Sequence, residues 1–289
     1  MAERLTDIVT QIQNVRQLEA VVTAMRGIAA SRAQRGRSLL PGIEAYTEVV
    51  SRAIGQALIL LPADTVTSAP LRHAKRGLIL FCAEQGFAGA FSERVLDAAA
   101  GDLGGSVNLV IGTRGALIVN ERGIKPAWSA AMATNVDAIP SFANRLADAL
   151  YNYVARGTIV QVDVLFSRSV PGSSVKIDRH SLLPIDFGRF ARPARRQAPL
   201  TTFAPQILLE RLAAEYVYAQ LCQAAMHAFE AENEARMMAM ALAKTNIESK
   251  LVGLSQRERH LRQEEITTEI VELATGTQAS GSQAFGRRR

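Results

Sequence analysis

The sequence predicts an α/β protein whose long N- and C-terminal helices pair as an antiparallel coiled coil, with a small α/β domain between them in the chain. Three observations carry this prediction. Residues 231 to 279 contain no Pro and only two Gly, and helix-compatible sequence extends back to Pro205, a residue suited to a first helical turn. At the other end, Ile8, Ile12, Val15, Leu18, Val22, Met25 and Ile28 recur at steps of three and four. That is the stripe of an amphipathic or coiled-coil helix. Between the two, short apolar runs alternate with helical stretches, the pattern of an α/β layer.

Taken in order, the first helix spans 1–60 and fades near Leu60-Leu61-Pro62. The α/β domain spans 72–190. RGLILFC (76–82) reads as a buried strand, followed by the loop AEQGFAGAF and a helical stretch, SERVLDAAAGDL. VNLVIGT (107–113) is a second buried strand, with a short helical patch at 114–121. Residues 137–156 form a helix with Ala138, Phe142, Leu146, Leu150 and Val154 on one stripe. The β-branched, alternating segment 158–170, a Pro171-Gly172 turn and the segment 173–186 read as a hairpin. The order implies a small, partly parallel, Rossmann-like sheet. An Arg- and Pro-rich linker, 188–204, leads into the C-terminal helix, 205–275. A helix of those 71 residues spans roughly 105 Å, so it must pair with another long helix or run through a partner. Its stripe is Ile247, Leu251, Leu254 and Leu261, then Ile266, Ile270 and Leu273. Gly276 marks the expected stop, and 276–289 reads as a disordered Gly/Ser-rich tail ending in Arg287-Arg288-Arg289.

Composition narrows the function. With 48% hydrophobic and 21% charged residues over 289 positions, the chain has globular composition. No apolar run reaches membrane-spanning length, and the start, MAERLTDIVTQIQNV, reads as amphipathic helix rather than secretory signal. Cys82 and Cys222 lack metal spacing and read as buried apolar thiols. The net charge is +6, and five lysines leave arginine as the main cation. These arginines are spread along the chain and interleaved with Glu, as in Arg257-Glu258-Arg259. A solvated helix face or an acidic protein partner accounts for that pattern at least as well as nucleic acid does. The alternative is a coiled-coil adaptor or nucleic-acid-binding protein with a degenerate nucleotide-binding-like domain.

The chemistry of an enzyme is not legible. The loop EQGFAGAF lies between strand and helix but offers only Gly86 and Gly89, with no adjacent Lys, so a tight turn outweighs a phosphate loop. The glycines of IGTRG (111–115) are an equally weak signal. His73, His180, His227 and His260 have no metal spacing, and no G-x-S-x-G elbow occurs. No catalytic residue, cofactor or metal is expected. Met237, Met238 and Met240 are expected to pack against the first helix near Met25 rather than to form a binding groove.

Two motifs are specific. The C-terminal helix reads Glu-Ala-Arg-Met-Met-Ala-Met-Ala-Leu-Ala from Glu234, then Arg262-Gln263-Glu264-Glu265-Ile266-Thr267-Thr268-Glu269-Ile270. The N-terminal helix carries Ile8, Ile12 and Val15, then Thr23-Ala24-Met25 through Ala29-Ala30. Together they resemble the gamma subunit of F-type ATP synthases over nearly the whole chain, and EQGFAGAF stands where members have a D-R-G-L-C-G-G-like loop. The resemblance implies a non-catalytic rotor shaft, one copy per complex, inside a ring of alternating alpha and beta subunits. It also implies a foot domain resting on the epsilon subunit and the membrane c-ring, at the cytoplasmic face of a bacterial inner membrane, with no nucleic acid. Arg236, Gln263 and Thr267 match positions where the family's shaft touches the catch loops of beta; Arg262 lies beside them, and Met25 matches the N-terminal helix in the same region. This sequence departs from the family in its Arg-rich first helix (Arg26, Arg32, Arg35, Arg37), in TTFAP, which lacks the usual acidic residue, in His260, where Asn is common, and in its basic end. These departures fit a divergent or secondary ATPase of the family.

Overall fold

The computed structural model describes residues 5–62, 75–170, 175–191 and 200–285, with side chains to 273. The expected Pro171-Gly172 turn, residues 192–199 of the 188–204 linker and the last four residues lie outside the described residues. The chain divides into two compact units, Gly27–Ala239 and Met1–Arg26 with Met240–Arg289. Helices α1 (Leu5–Ala57) and α6 (Pro205–Phe285) contribute to both.

The larger unit is built on a five-stranded sheet of order β3-β2-β1-β4-β5. The strands are β1 (Lys75–Phe81), β2 (Val107–Ile111), β3 (Trp128–Ala130), β4 (Ile159–Arg168) and β5 (Lys176–Leu183). β1 pairs in parallel with both β2 and β4, and β2 with β3, while β4 and β5 are antiparallel. Leu78–Phe81 of β1 and Leu109–Ile111 of β2 are continuous apolar runs because both faces of these strands are covered. On one face, Ile79, Phe81, Leu109, Ile111, Val164 and Phe166 pack on Phe142, Leu146 and Leu150 of α5 (Ile139–Ala155), on Leu221, Met226 and Phe229 of α6, and on Leu40 of α1. On the other, Leu78, Leu80, Val110 and Leu165 pack on Val95 and Leu96 of α2 (Phe91–Ala98), Leu103 of α3 (Ala100–Leu103), and Ile118 and Val119 of α4 (Thr113–Glu121). The period-two alternation of a strand produces this three-layer arrangement.

The sequence reading omits β3, whose three residues are too few to show a period. The glycines of IGTRG have a packing explanation. Gly112 sits at φ 98°, and a Cβ there would lie 2.5 Å from the Cys82 carbonyl oxygen; one at Gly115 would lie 2.0 Å from Cys82 Cβ. They let the start of α4 approach the end of β1, as close helix–strand packing requires.

In the smaller unit, Ile8 and Ile12 pack with Leu251, Leu254 and Leu261, and Val22 and Met25 pack with Met240 and Ile247. Earlier residues of α1 meet later residues of α6, so the helices run antiparallel. Met240 is buried here beside Met25 as expected, whereas Met238 is exposed. Helix α6 continues through Gly276 to Phe285, past the expected stop. Glycine costs only about 1 kcal/mol in a helix interior, and no Pro occurs between 276 and 285. These residues of the expected tail are therefore helical. Helix α1 likewise runs through Pro41. Proline removes one ladder bond, while Leu40 just before it and Val50 and Ile54 further along the helix are buried.

Candidate partner-binding site

Leu261 is the last residue of α6 in the smaller unit's apolar clusters, and every residue from Arg262 to Leu273 is exposed. Ile266 is 50% exposed and Ile270 60%. The polar candidates lie on the same stretch. Arg262 Nη2 donates to Glu258 at 2.7 Å, one turn back, and Thr267 Oγ1 donates to the Gln263 carbonyl at 2.8 Å. Arg262, Gln263 and Ile266 border one shallow depression with Arg259, and Gln263 and Thr267 border a second with His260 and Glu264. The structure thus brings Arg262, Gln263 and Thr267 together on an open helix. Leu18 and Val21 on α1 are also exposed, at 51% and 54%.

Met25 and Arg236 stand apart from this group. Met25 is half-buried against Val22, Met240 and Ile247, so it contributes to the shaft core. Arg236 is 5% exposed. Its Nε donates to the Gly86 carbonyl at 3.1 Å, Nη2 to the Gln85 carbonyl at 3.2 Å and Nη1 to Asn233 Oδ1 at 3.2 Å, and it pairs with Glu232. Within this chain its guanidinium is thus committed to internal partners. The motif identifies the residue; the loop after β1, far away in sequence, buries it.

Around Arg236 the helix carries a polar collar. Arg37 Nε of α1 donates to Glu230 at 2.8 Å, and its Nη2 reaches Glu234 at 3.4 Å. The Ser169 hydroxyl donates to Glu234. Glu232 accepts from the Glu84 and Gln85 amides at 3.1 and 3.2 Å. Glu84 in turn accepts from the amide and hydroxyl of Thr113 and the amide of Met132, placing a carboxylate at the N-terminus of α4, where the helix dipole favours it. Glu230, Glu232 and Arg37 carry no motif that marks them as partners of Arg236 or Glu234. A signal was present: Glu230, Glu232, Glu234 and Arg236 fall at alternate positions, which a helix spreads over several faces, so they cannot all lie on one solvated face of a packed helix.

Among the described residues, no group of His, Cys, Asp and Glu could hold a metal ion, and no helix is long and apolar enough to cross a membrane. Both cysteines are buried and free, and burial pushes the Cys82 thiol up to about 12. The loop after β1 borders a cavity of about 380 Å³ with Arg114 and Ile118.

Comparison with known proteins fits this architecture. The chain is 24% identical over 297 aligned residues to the ATP synthase gamma chain of Clavibacter michiganensis subsp. michiganensis, covering 98% of this chain and 99% of that one. It is 28% identical to the ATP synthase gamma chain of a Parafrankia species, covering 98% and 100%. Among solved structures it resembles a chain of the Euglena gracilis mitochondrial ATP synthase (OSCP/F1/c-ring, rotational state 3) with a TM-score of 0.66 at 11% identity, covering 97% and 95%. It also resembles a central-stalk chain of the Tetrahymena thermophila enzyme, with a TM-score of 0.53 at 16% identity, covering 77% and 99%. A family model described as ATP synthase matches residues 4–279. With long antiparallel terminal helices, an α/β domain between them and relatives matched along their full length, the chain belongs to the ATP synthase family as a gamma chain.

Proposed function

We propose that this chain is the central-stalk rotor of an F-type ATP synthase, coupling ion flow across a membrane to conformational change at catalytic sites carried by its partners. One copy acts per complex. The paired helices and the end of α6 stand within a ring of alternating alpha and beta subunits. The α/β domain faces the epsilon subunit and the c-ring, peripheral to the cytoplasmic face of a bacterial membrane. The chain performs no bond chemistry of its own.

The observation that carries this reading is the end of α6. This helix end has every residue exposed, Ile266 and Ile270 among them, so it gains nothing from packing within the chain and offers apolar surface for a partner to cover. Arg262, Gln263 and Thr267 supply hydrogen-bonding groups on that segment. Contacts of this kind to loop carboxylates hold a rotational state and still release, because exposed charge-assisted pairs are worth only about 1 kcal/mol each. Met25 and Arg236 belong to the same partner-facing region by the resemblance; within the chain Met25 is half-buried and Arg236 buried, so each also supports the helix it sits on. The adaptor and nucleic-acid reading leans on the net charge of +6, which arginines interleaved with Glu explain at least as well.

The test is purification of the tagged chain from its native membrane fraction, with subunit identification and stoichiometry. Recovery with alpha and beta subunits in excess over the chain supports the rotor reading. Recovery alone, or with nucleic acid, refutes it.

A further inference from the structure

The loop Ala83–Gly89 follows the C-terminal end of β1. This strand lies where the parallel sheet changes direction, with β2 and β3 on one side and β4 on the other. In open parallel sheets, the crevice at such a reversal receives the ligand, and successive loop amides hold its anionic group. Here two successive amides, of Glu84 and Gln85, donate to the carboxylate of Glu232 from α6. The next two carbonyls, of Gln85 and Gly86, accept from Arg236, one helical turn further on. Asn233 braces the guanidinium with its Oδ1 and donates its Nδ2 to the Phe229 carbonyl at 2.8 Å. Glu232, Asn233 and Arg236 are 5%, 3% and 5% exposed.

We propose that Glu232 is a built-in anion: it fills the crevice at the sheet's reversal point and, with Arg236, latches the β1–α2 loop to α6. Carboxylate meets donors, guanidinium meets acceptors, and each charge neutralises the other. A buried pair is tolerable only when its remaining hydrogen-bonding capacity is met in this way. The loop's shape supports the latch. Phe87, the residue after the latched segment, sits at φ 62° and is 68% exposed. A bulky residue keeps that left-handed conformation only where its neighbours impose it. The latch also explains why the loop needs no phosphate-binding Lys: its anion is covalently part of the chain. The mechanical consequence rests on the rotor reading. The latch makes the α/β domain and this stretch of α6 turn as one body.

The experiment is hydrogen–deuterium exchange on the full chain in its purified complex, comparing wild type with Glu232→Ala. The Glu84 and Gln85 amides depend on the Glu232 carboxylate. Their exchange accelerates by about tenfold or more in the variant, while the β1 amides of Leu78–Phe81 do not change. Acetate, a detached copy of the missing group, restores protection, and chloride at equal ionic strength does not. Unchanged loop exchange overturns the latch; faster exchange that ignores acetate overturns the built-in anion. Where Glu232→Ala loosens β1 as well, Glu232→Gln keeps the volume and removes the charge: acceleration confined to the loop supports the proposal, and wild-type protection overturns it. Ion pumping per ATP hydrolysed, measured on the same preparations, separates the two readings. Selective exchange in a chain that purifies without any ATP-hydrolysing partner leaves the latch standing and removes the rotor.

Discussion

Asp163 shows how one side chain can hold an α/β face together. It lies in β4, 6% exposed, and accepts from Arg179 Nε and Nη2 at 2.9 and 2.7 Å. Arg179 also reaches Asp102 of α3 at 2.7 Å, and Arg76 of β1 lies 3.5 Å from Asp102 and 3.7 Å from Asp163. The Arg179 guanidinium accordingly holds Asp102 below the usual carboxylate range. Removing a buried partner costs more than the pair is worth, because the other charge stays behind. Asp163→Ala is expected to lower the stability of the full chain by about 3 kcal/mol, the low end for a buried pair, since Arg179 remains partly solvated and keeps Asp102; the urea midpoint measures it. His227 gives a pH-dependent counterpart. It is 8% exposed on α6, stacked on Phe166 of β4 at 5.6 Å, and its buried Nδ1 has no hydrogen-bond partner among the described residues. Burial, reinforced by Arg168, pushes its pKa from 6.5 down to about 4; Asp178 opposes this shift and His180 adds to it. Between those values the unfolded chain binds the extra proton, so the stabilising contribution is complete above pH 6.5 and lost progressively as pH falls toward 4. His227→Phe keeps the stacked ring and removes the titration. Its stability should fall less steeply across that window than wild type; an identical slope would mean that other groups govern it.

At the scale of elements, two glycines in the long helices have opposite roles. A Cβ at Gly55, near the end of α1, would lie 2.2 Å from the Ala191 carbonyl oxygen, whereas one at Gly253 in α6 would meet nothing within 4 Å. Gly55→Ala must push the backbone at Ala191 away from α1 and is expected to destabilise by about 1–3 kcal/mol. Gly253→Ala removes backbone freedom from the unfolded chain and should stabilise by roughly 0.5–1 kcal/mol. Thermal unfolding of the two full-length variants should show shifts of opposite sign, and shifts of the same sign would contradict this assignment. Much of the fold was legible because the elements are periodic. In the α1 stripe Ile8, Ile12, Val22 and Met25 turn inward as their spacing announces, although Leu18 and Ile28 are exposed, and the runs 76–82 and 107–113 are buried on both faces. The misses share a physical cause. β3 belongs to the sheet through pairing with β2, not through any pattern in its three residues, and Gly276 has too little breaking power in a helix interior to stop α6. Arg236 is legible through its motif and Glu232 through its spacing, but their partners are not, because these are backbone groups of a loop roughly 150 positions away.

At the scale of the whole molecule, the exposed end of α6 sets two kinds of side chain one turn apart, and they predict different failures. Ile266 and Ile270 are half or more exposed, and an apolar residue of that size yields roughly 1.5–3 kcal/mol when fully covered. Gln263 and Thr267 offer hydrogen bonds whose net worth is about 0.5–1.5 kcal/mol each, and the Thr267 hydroxyl is already committed to the Gln263 carbonyl. If a ring of partners encloses this helix, the apolar pair supplies binding and the polar pair supplies a contact that changes as the shaft turns. Ile266→Ser with Ile270→Ser should therefore reduce the yield of assembled complex severalfold. Gln263→Ala with Thr267→Ala should leave assembly intact and slow ATP turnover by about three- to tenfold, the equivalent of one lost hydrogen bond in the stepping barrier. Neither pair belongs to the buried clusters of the chain, so the isolated subunit should keep its helical content in both variants. Native gels of the complex, ATPase rates per assembled particle and circular dichroism of the free chain distinguish these outcomes. Full assembly and full turnover in both variants would place the partner surface elsewhere on the chain, with the exposed α1 residues Leu18 and Val21 the next to replace.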